Sequence, residues 1–434
     1  MAKTVAFCTL GCKVNQYESE AVLEQFLKKG YHAVDFSETA DVYIINTCTV
    51  THLSDRKSRQ MIRRAKQHNP HSVLVVMGCY VQTNPDAVLK IPDVDVLIGT
   101  ANRGKVPEAV EQFLAEQKRI DLVEEKVDAC FEALSIDGTG QEHTRAYIKV
   151  QEGCNQFCSY CIIPYARGRI RSRSIDSTVE EAKRLVASGF CELVVTGIHL
   201  ASWGKDSGEG TLVDLLEALQ KTEGLKRIRL GSLEPTLCTK DFAKKIAALD
   251  KVCHHFHLSL QSGCDATLQR MNRKYLTAGY MQAVQDLREA MDDAAITTDI
   301  MVGFPGETEE EFAASFAFMK ALHLADAHVF KYSPRNGTVA AKMEGQIEPQ
   351  VKEARSRKMI ALTKAYQAEF AEKFVSAQMP VLIEQEVRPG VYEGKTGNYI
   401  TVLVESKENI CGHLVQVTMC SAEGALLHGV ICRS

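Results

Sequence analysis

Four short apolar runs mark the first third of the chain: TVAFCTL (4–10), DVYIINTC (41–48), SVLVVMGC (72–79) and DVLIG (95–99). They are β-branched and nearly continuous rather than alternating, the pattern of parallel strands buried on both faces. Residues 16–29, 53–68 and 104–117 between them carry helical periodicity. Residues 1–118 therefore read as a βαβ series and predict an open parallel α/β domain. Residues 119–143 are polar, contain DGTGQEH, and predict a linker. A second series starts at RAYIKV (145–150) and continues through ELVVTG, RIRLGS, HFHLSL, TTDIMVG and AHVFKYS, with helical stretches between. Six such units over 144–373 predict a partial (β/α)6 barrel whose reactive face lies at the strand C-termini. A long charged helix over about 350–374 is expected to end at QMP (378–380). Residues 374–434 then alternate, with glycine-marked turns, and predict a small antiparallel β-barrel.

Composition adds limits rather than detail. With 434 residues, 45% hydrophobic and 24% charged, the chain has the balance of an ordinary multi-domain globular protein. A net charge of −4 excludes a uniformly basic nucleic-acid coat and leaves room for local basic patches. No apolar run approaches the ~20 residues of a membrane span. MAKTVAFCTL reads as a first strand rather than a signal peptide, so the expected compartment is the cytoplasm. Fifteen cysteines in a reducing compartment are to be read for metal before disulfides.

Cys154, Cys158 and Cys161 lie in GCNQFCSYC, between the first barrel strand and a helix. CxxxCxxC can bring three thiolates to three irons of a 4Fe-4S cube and leave the fourth iron open to a small ligand. The alternative is zinc, which favours paired CxxC knuckles and a fourth ligand that this loop lacks. Cys12, Cys48 and Cys79 stand in LGCKVN, INTCTV and MGCYVQ, each at or just past the end of a predicted strand. Open α/β sheets bind ligands at that edge. The plainer alternative is three unrelated core thiols, since free cysteine is often buried. Cys8 reads as core, and Cys130, Cys191, Cys238, Cys253, Cys264, Cys411, Cys420 and Cys432 have no metal spacing. Phosphate loops, dinucleotide fingerprints, HExxH and GxSxG are absent from the sequence.

With Tyr160 just before its last cysteine, CxxxCxxC resembles the radical S-adenosylmethionine (SAM) superfamily. LGCKVNQYESE, NTCTVT, MGCYVQ, GCNQFCSYCIIPYARGRIRSR and DIMVGFPGET together resemble the methylthiotransferases over nearly the whole chain. The resemblance implies that SAM binds the open iron held by Cys154, Cys158 and Cys161, and that one electron splits it to a 5′-deoxyadenosyl radical. It implies a second 4Fe-4S cluster on Cys12, Cys48 and Cys79, and a C-terminal TRAM barrel. An electron donor such as flavodoxin or ferredoxin and a sulfur source are implied as partners, with no membrane. Barrel geometry and the family pattern together nominate SAM contacts. These are Tyr160 beside the cluster, Gly197 at the second strand end, Ser232 and Glu234 at the third facing the ribose, Ser259 and Gln261 at the fourth, Arg273 for the SAM carboxylate, and Asp299 and Gly303 at the fifth. For each one a purely structural role is the competing expectation.

Two basic stretches flank the cysteine loops. Arg56, Lys57, Arg59, Arg63, Arg64 and Lys66 fall on the helix after Cys48, and Arg167, Arg169, Arg171 and Arg173 follow Cys161. A charge run is commonly only a solvated face. Here the two runs suit an RNA backbone. NTCTVT followed by SDRKSRQMIRR resembles the branch often called MtaB-type, which uses two SAM per turnover to methylthiolate N6-threonylcarbamoyladenosine beside the tRNA anticodon. From Met379 onward Arg388, Lys395, Lys407 and Arg433 face Glu384, Glu386, Glu393, Glu405, Glu408 and Glu423. That acidity keeps a ribosomal-protein aspartate as an alternative substrate. A non-catalytic, metal-stabilised RNA-binding protein is the alternative from another class.

Overall fold

The computed structural model describes residues 3–125, 127, 130–138 and 144–432. Its first sheet is wholly parallel, in the order β2-β1-β3-β4-β5-β6. The strands are β1 (Thr4–Thr9), β2 (His32–Val34), β3 (Val42–Thr47), β4 (Val73–Gly78), β5 (Val96–Ile98) and β6 (Ile120–Asp121). Two apolar cores sandwich it. Val5, Ile44, Val75 and Val96 face one, and Ala6, Tyr43, Ile45, Leu74 and Val76 face the other. Burial on both faces is why these strands show no alternation in sequence.

Six parallel strands follow: β7 (Ala146–Glu152), β9 (Glu192–Gly197), β10 (Arg227–Leu230), β11 (His255–His257), β12 (Ala295–Val302) and β13 (Asp326–Lys331). A two-residue strand, β8 (Arg171–Ser172), lies antiparallel on the outer edge of β7. Hydrogen bonding is continuous from β7 to β10 and from β11 to β13, and single bridges at Ile228–Val252 and Leu233–Leu258 join the halves. This is the expected partial (β/α)6 barrel, packed outside by Ile148, Val150, Leu185, Leu193, Leu216 and Phe256. The C-terminal strands β14 (Gln378–Arg388), β15 (Val391–Thr396), β16 (Thr401–Glu405), β17 (Leu414–Glu423) and β18 (Leu426–Ile431) close in the order β14-β15-β16-β18-β17. Among the described residues no helix is long and apolar enough to cross a membrane.

The structure departs from the sequence expectations in two places. The 119–143 stretch is not a free tether, because Ile120 pairs with Val96 while Leu134 and Ile136 are buried in the barrel's core. DGTGQEH falls largely outside the described residues, as does Arg433. The charged helix ends at Glu372, and QMP opens β14 instead of terminating the helix. Pro380 is tolerated there because the β15 ladder begins only at Val381.

The small barrel seats on the N-terminal end of the large one. Arg229, buried and paired with Glu192 at 2.7 Å, donates to the carbonyls of Gly397 (2.9 Å) and Thr396 (3.2 Å). Arg227 donates to the carbonyl of Lys395 at 3.0 Å, and Arg145 pairs with Glu384 at 2.8 Å. Tyr399, held at φ +71°, stacks on His255 with ring centroids 4.7 Å apart. Glu384 and Lys395 thus serve this interface, so part of the C-terminal charge imbalance is not outer surface.

Arg229→Ala strips Glu192 of its main partner inside the fold and should lower stability by about 3 kcal/mol. A lower urea midpoint and earlier proteolysis within 378–432 would report it, whereas Lys407→Ala on the exposed rim should leave both unchanged. A pH effect is expected from Glu20, whose carboxyl burial pushes up from 4.5 to about 7. Across that window the folded chain holds a proton the unfolded chain has released, so stability falls as pH rises, by up to roughly 3 kcal/mol. Urea midpoints at about pH 5 and pH 8 should differ less in Glu20→Gln than in the parent.

Candidate functional site

The order β2-β1-β3-β4 reverses direction between β1 and β3, and such a switch opens a crevice beyond the strands' carboxyl ends. Cys12 follows β1, Cys48 follows β3 and Cys79 follows β4. Cys12 is exposed at the N-cap of the helix Lys13–Lys28, while Cys48 and Cys79 are buried. The approach depends on a glycine. A Cβ on Gly11, at φ +112°, would lie 3.0 Å from Cys48 Cβ and 3.2 Å from its Sγ. Asn15 ties the loops by donating to the carbonyls of Leu10 (2.7 Å) and Thr47 (3.0 Å).

The second trio leaves β7 on a tight loop. Cys154 N–H donates to the Gly168 carbonyl at 3.1 Å and Cys161 N–H to the Cys158 carbonyl at 2.9 Å. Gly153 is obligatory, since a Cβ there would fall 1.8 Å from the Arg169 carbonyl oxygen. Arg273 reaches this loop from beyond the fourth strand. It donates to Cys158 Sγ at 3.2 Å, to Glu234 at 3.2 Å and to Tyr275 Oη at 2.9 Å. Glu234 also meets His199 Nε2 at 2.9 Å, and His199 Nδ1 lies 2.7 Å from Ser202 Oγ. Burial pushes the Cys154 thiol up to about 11 and those of Cys161 and Cys79 up to about 12. Arg273 opposes the first two shifts and Arg167 the third. An apolar slot of about 250 Å³ lies beside the loop, lined by Val50, Tyr160, Ile162, Met301, Phe330 and Tyr332.

One side chain joins the two trios. Arg167, in the second loop, donates from Nε to Cys79 Sγ at 3.2 Å and from NH2 to Asn15 Oδ1 at 2.6 Å. This corrects the reading of Arg167, Arg171 and Arg173 as RNA contacts. All three are buried. Arg167 pairs with Glu18 and Glu152 at 2.8 Å each, Arg171 donates to the Arg167 carbonyl at 3.0 Å, and Arg173 pairs with Glu181. Alternating basic text hid this, because burial depends on partners distant in sequence. Arg169 stays exposed, its guanidinium 4.6 Å from the Phe157 ring centroid. On the helix His52–His68, Ser58, Ile62 and Ala65 face inward and Arg56, Lys57, Arg59, Arg63 and Arg64 outward. Lys66 is occupied by Asp95 at 3.1 Å.

The other nominated positions separate by environment. A Cβ on Gly197 would meet Gln151 Cβ at 2.8 Å, and Ser232 is exposed just past β10. Glu234 is buried with both oxygens engaged, so it reaches the crevice through Arg273 and His199 rather than as a free carboxylate. Ser259 offers its carbonyl to Arg273 and Tyr275. Gln261 sits at φ +68° and bonds across to Asp299 and Met301, while the Asp299 carboxylate lies 3.4 Å from His257 Nε2. Gly303, at φ +72°, faces Lys352, whose Cγ would be 2.3 Å from a Cβ. Asn15, His199, Tyr275 and Arg335, which bonds Thr49 at 2.6 Å and Asp55 at 2.7 Å, went unread in sequence. None carries a spacing that marks it.

The donor sets suit clusters better than single ions. Tetrahedral zinc needs sulfurs about 4 Å apart. Among the described residues no three cysteine, histidine or carboxylate groups converge to share one ion. Thiols held on three different irons of a cube stand wider apart than the ligands of one tetrahedral ion.

Residues 4–99 match the family described as "Uncharacterized protein family UPF0004", and residues 148–319 match the radical SAM superfamily. The threonylcarbamoyladenosine tRNA methylthiotransferase MtaB of Bacillus subtilis is 41% identical over 96% of this chain and 94% of its own. The tRNA-2-methylthio-N(6)-dimethylallyladenosine synthase of Moorella thermoacetica is 35% identical over 98% of both chains. Among solved structures, the radical SAM methyltransferase TsrM of Kitasatospora setae, with cobalamin and a [4Fe-4S] cluster bound, covers 91% of this chain and 81% of its own at a TM-score of 0.59 and 16% identity, a likeness of fold. Two thiol trios at two strand-end crevices, on a chain matched almost end to end by these enzymes, place it in one group: the chain belongs to the radical SAM methylthiotransferase family.

Proposed function

We propose that this protein converts N6-threonylcarbamoyladenosine beside the tRNA anticodon to its 2-methylthio derivative, using two SAM molecules per turnover. The single observation that supports this reading is the hydrogen bond of Arg167, carried by the segment that follows Cys161, to Cys79 of the other trio. Of the two named relatives, the more similar one acts on threonylcarbamoyladenosine by its name. Residues 1–118, 144–373 and 374–434 are the functional units of this reading.

Cys154, Cys158 and Cys161 would hold the 4Fe-4S cluster that cleaves SAM, and Cys12, Cys48 and Cys79 the one associated with the transferred sulfur. Bound there, these groups supply the electron, the radical and the sulfur that an unactivated aromatic C–H requires. The chain's own residues orient and exclude. The slot of Tyr160, Ile162, Met301 and Phe330 takes the flat adenine of SAM, and its apolar walls keep water from a reactive carbon. Arg273, locked by Glu234 and Tyr275, presents its charge to the SAM carboxylate without losing freedom on binding. The exposed Arg56, Lys57, Arg59, Arg63 and Arg64 grip phosphates, with Arg169 on the opposite rim. A loop nucleotide is extruded cheaply, so the target base can leave its stack to reach the crevice. A flavodoxin or ferredoxin as reductant, a separate sulfur source and a cytoplasmic setting belong to the same reading.

Changing Cys154, Cys158 and Cys161 together to Ala should leave about half the iron and abolish reductive SAM cleavage, because each trio is built on its own sheet. Changing Cys12, Cys48 and Cys79 should preserve SAM cleavage and eliminate the methylthio product. Loss of all iron in either variant would refute two independent sites. Replacing Arg56, Arg63 and Arg64 by Gln should lower the slope of log affinity for tRNA against log salt by up to about three, near one per lost phosphate contact. Unchanged tRNA binding together with methylthiolation of a ribosomal protein would instead favour the protein substrate. Nucleoside analysis of tRNA from cells with and without the gene decides the modified base: 2-methylthio-N6-threonylcarbamoyladenosine should disappear only in the deletion.

A further inference from the structure

Exposed aromatic rings are scarce on this chain, and they fall beside the cysteine loops. Among the described residues, the large apolar side chains with most open surface include two aromatic ones, Tyr165 at 54% and Phe330 at 47%. Phe330 lines the slot with Cys161 and with Val50, which is itself half exposed. Tyr165 stands on the short helix Ile163–Arg167, which packs on the turn Cys79–Thr83. Ile163 at the start of that helix lines the slot, and Arg167 at its end donates to Cys79 Sγ at 3.2 Å. Single exposed apolar residues are ordinary on a surface. Two rings left open beside thiol loops ask for a reason.

The Tyr165 ring is braced. Phe157, between Cys154 and Cys158, meets it edge to face, with centroids 5.7 Å apart and planes at 85°. Phe157 holds a left-handed backbone at φ +50°, a conformation disfavoured for a bulky side chain and kept only where the surroundings impose it. Asn272 imposes it here, donating from Nδ2 to the Phe157 carbonyl at 3.0 Å, and Lys274 fixes Asn272 at 2.8 Å. Arg169 lies over the Phe157 ring, its guanidinium 4.6 Å from the centroid. Of the four arginines that follow Cys161, Arg169 is the exposed one. Phe157, Tyr165 and Arg169 thus form a corner of two rings and a cation, and its most open member is Tyr165.

We propose that Tyr165 is a stacking platform for an unpaired base of the anticodon loop next to the modified adenosine, with Phe157 as its brace and Arg169 as the cation at its side. This rests on the functional reading above and adds how a flanking nucleotide is held once the target base leaves its stack. Extruding a base strips its neighbour of a stacking partner, and an aromatic side chain replaces it. Every base has a flat face, so the contact tolerates sequence, while the arginine beside it favours an RNA chain over an uncharged apolar partner. Exposed Arg56, Arg63 and Arg64 on the helix after Cys48 carry the same sign of charge, which suits a polyanion.

The test uses the iron-loaded enzyme and anticodon stem-loop RNAs carrying N6-threonylcarbamoyladenosine, with an intact loop or with an abasic site at one or the other flanking nucleotide. Tyr165→Ala should weaken binding of the intact RNA about tenfold. The slope of log affinity against log salt should stay that of the parent, because no phosphate contact is lost. Tyr165→Trp should bind within about threefold of the parent. Tyr165→Leu, which keeps apolar bulk against Phe157 but offers no aromatic face, should lose as much as Tyr165→Ala. The comparison of Trp with Leu stands alone should Tyr165→Ala disturb the cysteine loop. One of the two abasic RNAs should bind the parent and Tyr165→Ala equally, since the ring's partner is already gone. Parental affinity in Tyr165→Ala, rescue by Tyr165→Leu, or an undiminished loss against both abasic RNAs overturns the platform and leaves the proposed function standing. A parent enzyme that neither binds nor modifies the intact RNA overturns both.

Discussion

Glu18 has no exposed surface, and three cations meet its carboxylate: Arg167 at 2.8 Å, and Arg103 and Lys149 at 2.9 Å. Glu152 shares the same three, with Lys149 at 2.5 Å, Arg167 at 2.8 Å and Arg103 at 3.2 Å. Burial works to raise both carboxyls, yet the cations hold both below their ordinary values. The participants come from the first helix, the loop after β5, the first barrel strand and the loop after Cys161. Removing one member of such a group leaves an uncompensated buried charge, which costs on the order of 3–5 kcal/mol. This cluster fixes the first unit against the barrel, and through Arg167 it fixes Cys79 against the second cysteine loop. Arg335 of the barrel adds a second tie near Cys48, through Thr49 and Asp55.

Chemistry is distributed accordingly. Arginines beside the thiols act as clasps, since Arg167 and Arg273 each donate one hydrogen bond to a cysteine sulfur while bound to carboxylates. Charge near sulfur and hydrogen bonds to it are what a protein can use to tune an iron–sulfur centre. The exposed basic side chains lie elsewhere, on the outer face of His52–His68 and at Arg169. The C-terminal barrel is held by Arg227, Arg229 and Arg145 at the opposite end of the lumen, and Tyr399 and His255 form part of its floor. The small barrel therefore closes the end of the large one that lies away from the two cysteine loops.

Strand and helix periods in the sequence were enough to predict both α/β series and the small barrel, because period and burial pattern are local properties of the text. Cysteine spacing was equally legible: CxxxCxxC is a short-range constraint, and Cys12, Cys48 and Cys79 each follow a run whose identity as a strand is plain. Boundaries moved where a few apolar residues outvoted polar neighbours, as with Ile120, Leu134 and Ile136 in the supposed linker.

What the sequence by itself determined is the list of elements and which of them end in a thiol. Only the tertiary structure decided which charges face solvent and which face one another. Arg56 and Arg167 look alike as text, each in a basic run just after a cysteine. One is solvated on a helix face and the other is enclosed by Glu18, Glu152 and Asn15. The physical reason is range. Hydrophobic period and turn chemistry act over a few residues, while the fate of a charge is set by desolvation and by partners more than a hundred residues away, such as Glu18 for Arg167, that only the folded chain brings within hydrogen-bonding distance.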